Sequence, residues 1–307
     1  MKTLFKTLVA GICLVIFLGC AKNEEPEKIY RIAGKMNIDN RNRTYLLNLP
    51  PDYYNNESTV PLVIALHGTG GSAAQFERDY RFTDQTNRTG FAVVYPEGVR
   101  SDGVLKLRTW NAGTCCHYAY EQNVDDVKYV RTLIDHLIST YKINTKKIYV
   151  TGMSNGGMMA YRLAAELSDK IAAVAPVSAT MVLPGAIQPS RPVPILHIHS
   201  VKDTIVPYAG GVGLGGYTFA PVDSVLRVWA AKNACAASPQ VIVDDQHYKL
   251  TEWKDCSNAA TIRCYLTRDG GHSWPGGKKS NPRGDEPSSA INASELICNF
   301  FQGNSLP

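Results

Sequence analysis

Six apolar runs of strand length recur along this chain and set the narrowest limit on what it can fold into. The clearest is Pro61-Leu62-Val63-Ile64-Ala65-Leu66, an uninterrupted run with no polar side, which reads as a strand buried on both faces. Residues 91–95, 148–151, 171–175, 193–198 and 261–266 repeat the pattern. Helical signals fall between them. From Val124 to Tyr141 apolar residues recur at three and four positions and form one stripe. Asp125 and Asp126 stand at its start, where the positive end of a helix dipole favours them. Residues 158–165, 224–233 and 290–301 read as further helices. Strands alternating with helices imply an α/β architecture, a mainly parallel central sheet with helices on both faces. Residues 43–49 alternate as an edge strand would and stop at Pro50-Pro51. No internal repeat is visible, and a single domain is expected over about residues 31–305.

One strand-to-helix junction carries chemistry. Tyr149-Val150-Thr151-Gly152-Met153-Ser154-Asn155-Gly156-Gly157 reads as a strand passing through a G-x-S-x-G turn straight into a helix. A serine hydroxyl is a poor nucleophile until a base takes its proton, and a tight turn lifts it clear of the backbone so that a base can reach it. Gly152 and Gly156 stand where side chains would collide. A short glycine motif arises easily by chance. The ordered strand, turn and helix are what single out Ser154 as the nucleophile.

A serine nucleophile needs a base and an orienting acid on loops at the strand ends of the same sheet. His272 follows the last apolar run, in the glycine-flanked loop Asp269-Gly270-Gly271-His272-Ser273-Trp274. His136 lies within a helical stripe, and His117 and His247 follow no clear strand. Asp203 follows the run 193–198 and would fix the imidazole tautomer; Asp269 is its rival, close to His272 along the chain. The order Ser154, Asp203, His272 is that of α/β-hydrolase triads. Two backbone N–H groups must also aim at the oxyanion. Asn155, next after the serine, would supply one. Thr69, in His67-Gly68-Thr69-Gly70-Gly71 directly after the run 61–66, would supply the other. His197 and His199 lie two apart on a strand and face the same way. With Asp203 they suggest a metal site, but no H-E-x-x-H and no third firm ligand accompanies them. Satisfied core histidines are the alternative, and no metal is expected.

Composition narrows the partners. The chain has 307 residues, 44% hydrophobic and 19% charged, which suits a sizeable core. Its formal net charge is +5 with no basic block interleaved with aromatics, so nucleic acid is not an expected partner. Lys2 and Lys6 precede the apolar run 8–18, which is short for a membrane span. Leu18-Gly19-Cys20 resembles a bacterial lipobox, with Phe17 where leucine is usual. That implies a signal peptide over 1–19, lipid on Cys20, a flexible tether over 20–30 and membrane attachment through the lipid. An ordinary signal peptide or an N-terminal anchor is the alternative. Ala21 after the cysteine directs the expectation to the outer membrane or cell surface. Eight cysteines fit export. Setting aside Cys13 and Cys20 leaves six, whose pairing sequence does not determine. Cys235–Cys256 is the preferred bridge, since both lie in loop-rich sequence before the last run.

With these residues in place the chain resembles the polyhydroxybutyrate depolymerase/feruloyl esterase group of the α/β-hydrolases, the carbohydrate esterase family 1-like branch. The resemblance spans about residues 43–301. It rests on Leu66-His67-Gly68, Tyr95-Pro96-Glu97-Gly98, Thr109-Trp110-Asn111, Cys115-Cys116, Val124-Asp125-Asp126-Val127, the serine turn, Asp203-Thr204-Ile205-Val206-Pro207-Tyr208 and Gly271-His272-Ser273-Trp274-Pro275-Gly276. One departure is Ser200, where glycine commonly follows the histidine. The resemblance implies an α/β-hydrolase fold and secreted ester hydrolysis through an acyl-enzyme, with no metal or organic cofactor. Trp110 and Trp274 would stack on an aromatic acyl group or a sugar ring, or else anchor their loops. A lipid-tethered esterase fits plant polysaccharide, so a feruloyl or acetyl-xylan esterase ranks first and a poly(3-hydroxybutyrate) depolymerase second. The rival class is a non-catalytic glycan-binding surface lipoprotein, which loss of a triad residue would have favoured.

Overall fold

The structure is a computed structural model that describes residues 28–55, 57–279 and 284–307. The expected signal peptide, Cys20 and most of the tether lie outside the described residues. In chain order the first half runs β1 (Arg31–Ile38), β2 (Arg41–Asn48), β3 (Val60–Leu66), α1 (Ala73–Tyr80), α2 (Phe82–Thr89) and β4 (Ala92–Pro96). Then come β5 (Val99–Arg100), β6 (Arg108–Thr109), α3 (His117–Glu121), α4 (Asp126–Thr140) and β7 (Ile143–Met153). The second half holds α5 (Asn155–Glu166), β8 (Ala173–Val177), β9 (Ile195–Ser200), β10 (Gly211–Val212), β11 (Thr218–Phe219) and α6 (Val222–Lys232). It closes with β12 (Gln240–Asp244), β13 (Tyr248–Trp253), β14 (Ile262–Thr267) and α7 (Ala293–Gln302).

The principal sheet has 10 strands in the order β1-β2-β4-β3-β7-β8-β9-β14-β13-β12. From β4 to β14 the neighbours pair in parallel, and the two strands at each edge pair antiparallel. The apolar runs explain this centre: a strand with no polar side needs cover on both faces. On β3, Leu62, Ile64 and Leu66 enter a core shared with α4, α5 and α6. Val63 and Ala65 point the other way, into a core shared with α1, α2 and α7. Each of the leucine, isoleucine and valine side chains contributes roughly 1.5–3 kcal/mol when fully buried.

The sheet is wider than the apolar runs suggest. Residues 43–49 are not at an edge, because β2 is paired on one side with β4 and on the other with β1. β1 and β12 expose much of their length and β13 is mostly half-buried, so they carry little of the apolar signal that marks a buried strand. The two acids opening α4 also part company. Asp125 caps the helix by accepting the Lys128 backbone N–H at 2.9 Å. Asp126 is buried, accepting from Arg43 at 2.6 Å and from the Asn111 N–H at 2.7 Å. The expected Cys235–Cys256 disulfide is present, Cys115 bonds its neighbour Cys116, and Cys264 and Cys298 are free and buried.

Candidate active site

The carboxyl ends of the parallel strands lie side by side and carry the expected site residues outward. Leu66 is opposite Gly152 across β3 and β7, Met153 opposite Val177 across β7 and β8, and Thr267 opposite Ser200 across β14 and β9. The loops that follow contain Thr69, Ser154, Asp203 and His272. Clefts outside strand carboxyl ends are where open α/β sheets bind ligands.

Ser154 joins β7 to α5 with φ 55° and ψ −122°, a backbone conformation that costs of order 1–3 kcal/mol for a residue with a Cβ. Its N–H donates to Val177 O at 2.9 Å, and its carbonyl accepts from the Met158 N–H at 2.8 Å. Both expected glycines are required by close approach. A Cβ on Gly152 would lie 2.4 Å from the backbone of Gly156, and a Cβ on Gly156 would lie 2.1 Å from Leu66 O.

His272 Nδ1 lies 2.8 Å from Asp203 Oδ2. The other carboxylate oxygen, Oδ1, accepts from the backbone N–H groups of Ile205 at 2.9 Å and Val206 at 2.8 Å. Burial alone would raise the Asp203 carboxyl, but hydrogen bonds from His199 and His272 outweigh it and hold the group well below the usual carboxylate range. An ionised acid beside Nδ1 keeps the proton there and leaves Nε2 to act as a base. The rival Asp269 is engaged elsewhere. It accepts from the Ser289 N–H at 2.9 Å and from the Ser288 hydroxyl at 2.5 Å. Ser200, the departure from the usual glycine, donates to Asp269 O at 3.0 Å and so ties β9 to the start of the His272 loop.

The loop after β3 packs directly on the serine turn: a Cβ on Gly68 would lie 3.4 Å from Ser154 Cβ. Within that loop Gly70 N–H donates to Arg108 O at 2.8 Å and Gly71 N–H to Gly68 O at 3.0 Å. The Thr69 N–H has no acceptor among the described residues. Asn155 opens α5, where the first backbone N–H groups of a helix have no intrahelical partner. Its side-chain amide brackets Trp110, accepting from Trp110 N–H at 2.7 Å and donating to Trp110 O at 3.0 Å. His67 Nδ1 donates to Gly68 O at 2.7 Å while Nε2 accepts from Gly98 N–H at 3.0 Å. Burial pushes this imidazole down to about 4.

Ser154, His272 and Thr69 open on one cavity of about 550 Å³, walled also by Met158, Tyr217 and Phe219. The two tryptophans do not serve as platforms in it. Trp110 is 0% exposed, with its indole N–H donating to His67 O at 2.9 Å. Trp274 touches the cavity wall but is 1% exposed, stacked on Tyr80 with centroids 4.9 Å apart and bonded through its N–H to Ser294 Oγ at 3.1 Å. Both anchor their loops, which was the alternative for each. Half-buried Tyr217 is the more accessible aromatic ring on the cavity wall, and buried Phe219 stands beside it with ring centroids 6.4 Å apart. They sit in a glycine-rich segment outside every motif, so sequence offered no signal for them. Asp285 was also missed; it accepts the His272 N–H at 2.6 Å and shapes that loop. His197 and His199 are buried and spend their ring nitrogens on Tyr161, on each other and on Val206 O. Those contacts fit satisfied core histidines.

Comparison with protein-family profiles matches residues 43–261 to "Esterase PHB depolymerase". That segment contains Thr69, Ser154, Asn155 and Asp203 and ends before His272. Feruloyl esterase B of Piromyces equi is 28% identical over 236 residues, covering 74% of this chain and 42% of that protein. The bifunctional acetylxylan esterase/xylanase of Neocallimastix patriciarum is 33% identical over 218 residues, covering 69% of this chain and 29% of its own length. The chain thus spans less than half of either relative. Among solved structures, the acetyl xylan esterase from Aspergillus awamori superposes with a TM-score of 0.60 at 16% identity, over 88% of this chain and 99% of that one. That likeness establishes the α/β-hydrolase fold.

Proposed function

This chain belongs to the Esterase PHB depolymerase family, and from that premise we propose that it is a serine carboxylesterase whose single catalytic domain spans about residues 31–305. The observation that carries the reading is the 2.8 Å contact of buried Asp203 with His272, which lines the cavity that also holds the strained Ser154. His272 Nε2 takes the Ser154 hydroxyl proton as Oγ attacks the ester carbonyl. The carbonyl oxygen gains negative charge and is held by the N–H groups of Thr69 and Asn155. As the intermediate collapses, the alcohol departs with the proton from His272, leaving an acyl-Ser154. Water then repeats the sequence and releases the acid. No step requires a metal or an organic cofactor.

The cavity supports a choice of substrate class. Its volume lies within the roughly 300–1,000 Å³ usual for small-molecule sites, and Met158, Tyr217 and Phe219 offer an apolar, partly aromatic wall. We assign that wall to the acyl group, which favours feruloyl esters of plant polysaccharide, with acetyl-xylan next. The names of the two microbial relatives support this choice. Two disulfides fit an oxidising, exported location. Lipid on Cys20 would tether the enzyme at the outer membrane or cell surface, next to soluble polysaccharide fragments. The test is initial hydrolysis rates of the soluble fragment starting at Ala21, beside Ser154→Ala, on methyl ferulate, acetylated xylan and a 3-hydroxybutyrate oligomer. Serine-dependent preference for ferulate or xylan acetate is expected. Preference for the oligomer makes the protein a polyester depolymerase, and no turnover of any substrate makes it a binding protein.

A further inference from the structure

Behind Asp203 lies a buried chain of polar groups that the proposed chemistry does not use. Tyr161 on α5 meets His197 on β9, OH to Nδ1, at 2.8 Å. His197 Nε2 meets His199 Nδ1 at 3.1 Å. His199 Nε2 lies 2.8 Å from Val206 O and 3.3 Å from Asp203 Oδ2, the same oxygen that faces His272. Tyr161, His197 and His199 are each at most 1% exposed.

The proton positions follow from one end. The Val206 carbonyl only accepts, so His199 Nε2 carries the hydrogen, and in the neutral ring Nδ1 is left to accept. His197 must then donate from Nε2 and accept at Nδ1, which requires the Tyr161 hydroxyl to donate. Burial keeps Tyr161 and His197 in these states. It lowers His197 well below the ordinary imidazole range and raises Tyr161 well above the ordinary phenol range, so both stay neutral. Every donor therefore points toward Asp203. Tyr161 and Ser154 also belong to the same segment, since α5 begins immediately after the serine. The chain thus connects the nucleophile's helix to the acid's loop through the sheet.

We propose that Tyr161, His197 and His199 are positioning residues that fix the orientation of the Asp203 carboxylate, and through it the His272 ring. Asp203 Oδ1 is already held by the Ile205 and Val206 N–H groups. The same His199 Nε2–H that donates to Val206 O at 2.8 Å also stands 3.3 Å from Oδ2, and this shared third contact limits the turning of the carboxylate about its Cβ–Cγ bond. Without it, Oδ2 swings and the imidazole loses its fixed line to Ser154, so chemistry slows while substrate binding is unaffected. A misplacement of this kind costs up to about 100-fold in rate.

The inference rests on the triad reading above, and the experiment separates the two. Rates on methyl ferulate are measured for the wild type, Ser154→Ala, His199→Phe, His199→Gln and Tyr161→Phe. Urea unfolding is recorded for each, together with the low-field proton NMR signal of the imidazole N–H bonded to Asp203. We expect kcat to fall at least 10-fold in His199→Phe, with KM within twofold. Glutamine, which retains an N–H donor, should recover part of the loss. Tyr161→Phe removes one oxygen and little volume; it should lower kcat severalfold and shift or broaden the low-field signal. Wild-type kcat and an unmoved signal in both His199→Phe and Tyr161→Phe, in an enzyme that depends on Ser154, overturn the positioning role alone. A wild type whose hydrolysis survives Ser154→Ala overturns the triad reading and the inference with it.

Discussion

Gly156→Ala should cripple the site through backbone geometry, without touching a catalytic side chain. The new Cβ lies 2.1 Å from Leu66 O, 2.6 Å from Leu66 C and 2.6 Å from His67 O. Carbon prefers neighbours at roughly 3.5–4.0 Å, so even a tight compromise requires α5 and the end of β3 to part by about 1 Å. All three obstacles are backbone atoms, and no side-chain rotation relieves them. The displaced pieces are the helix start carrying Ser154 and Asn155 and the loop carrying Thr69. Overpacking of this kind costs about 1–3 kcal/mol in stability. A shift of about 1 Å in reacting groups can cost on the order of 100-fold in rate. The assay is kcat/KM on 4-nitrophenyl acetate with urea unfolding of the same sample. Gly303→Ala is the control, since its Cβ meets only Phe300 O at an ordinary 3.7 Å. We expect a loss near 100-fold for Gly156→Ala and no more than twofold for the control. A folded Gly156→Ala within twofold of wild type would refute the reasoning, because it would mean the turn tolerates displacement.

Three further outcomes follow from His67, the Cys235–Cys256 disulfide and Trp274. His67 stays neutral down to about 4 in the folded chain against an ordinary 6.5, so below pH 6.5 the unfolded chain takes up a proton that the folded chain refuses. Stability should fall by up to about 3 kcal/mol as pH drops from 6.5 to 4; urea midpoints should show the slope, and His67→Asn should flatten it. An identical slope in the variant would assign the loss to other groups. Replacing Cys235 and Cys256 with serine opens a loop with sequence separation 21, which should cost about 3 kcal/mol by chain entropy, and unfolding with no change in midpoint would contradict it. Trp274→Ala should lose about 3–5 kcal/mol, as expected for an aromatic removed from a packed cluster; a fully stable variant with only a raised KM would restore Trp274 as a substrate platform.

The central strands were legible because burial on both faces leaves an unbroken apolar run, as in residues 61–66. The edges were not: β12 and β13 are held by pairing partners and mix polar with apolar residues. The strained turn at Ser154 was legible because it needs glycines at fixed local offsets, and the meeting of Asp203 with His272 because both follow apolar runs. The pairing of Arg43 with Asp126 spans 83 residues and leaves no local mark. The tryptophans were open for the same reason. Whether Trp274 faces substrate or core is decided by Tyr80, Phe76 and Phe82, which approach it from almost 200 positions earlier in the chain.

The most direct test of the account is intact-mass analysis after brief exposure to a fluorophosphonate, with peptide mapping of the adduct. The account predicts one phosphonyl group on Ser154, formed quickly in the wild type, slowly in His272→Ala and not at all in Ser154→Ala. An unmodified wild type, or label on any residue other than Ser154, would contradict it.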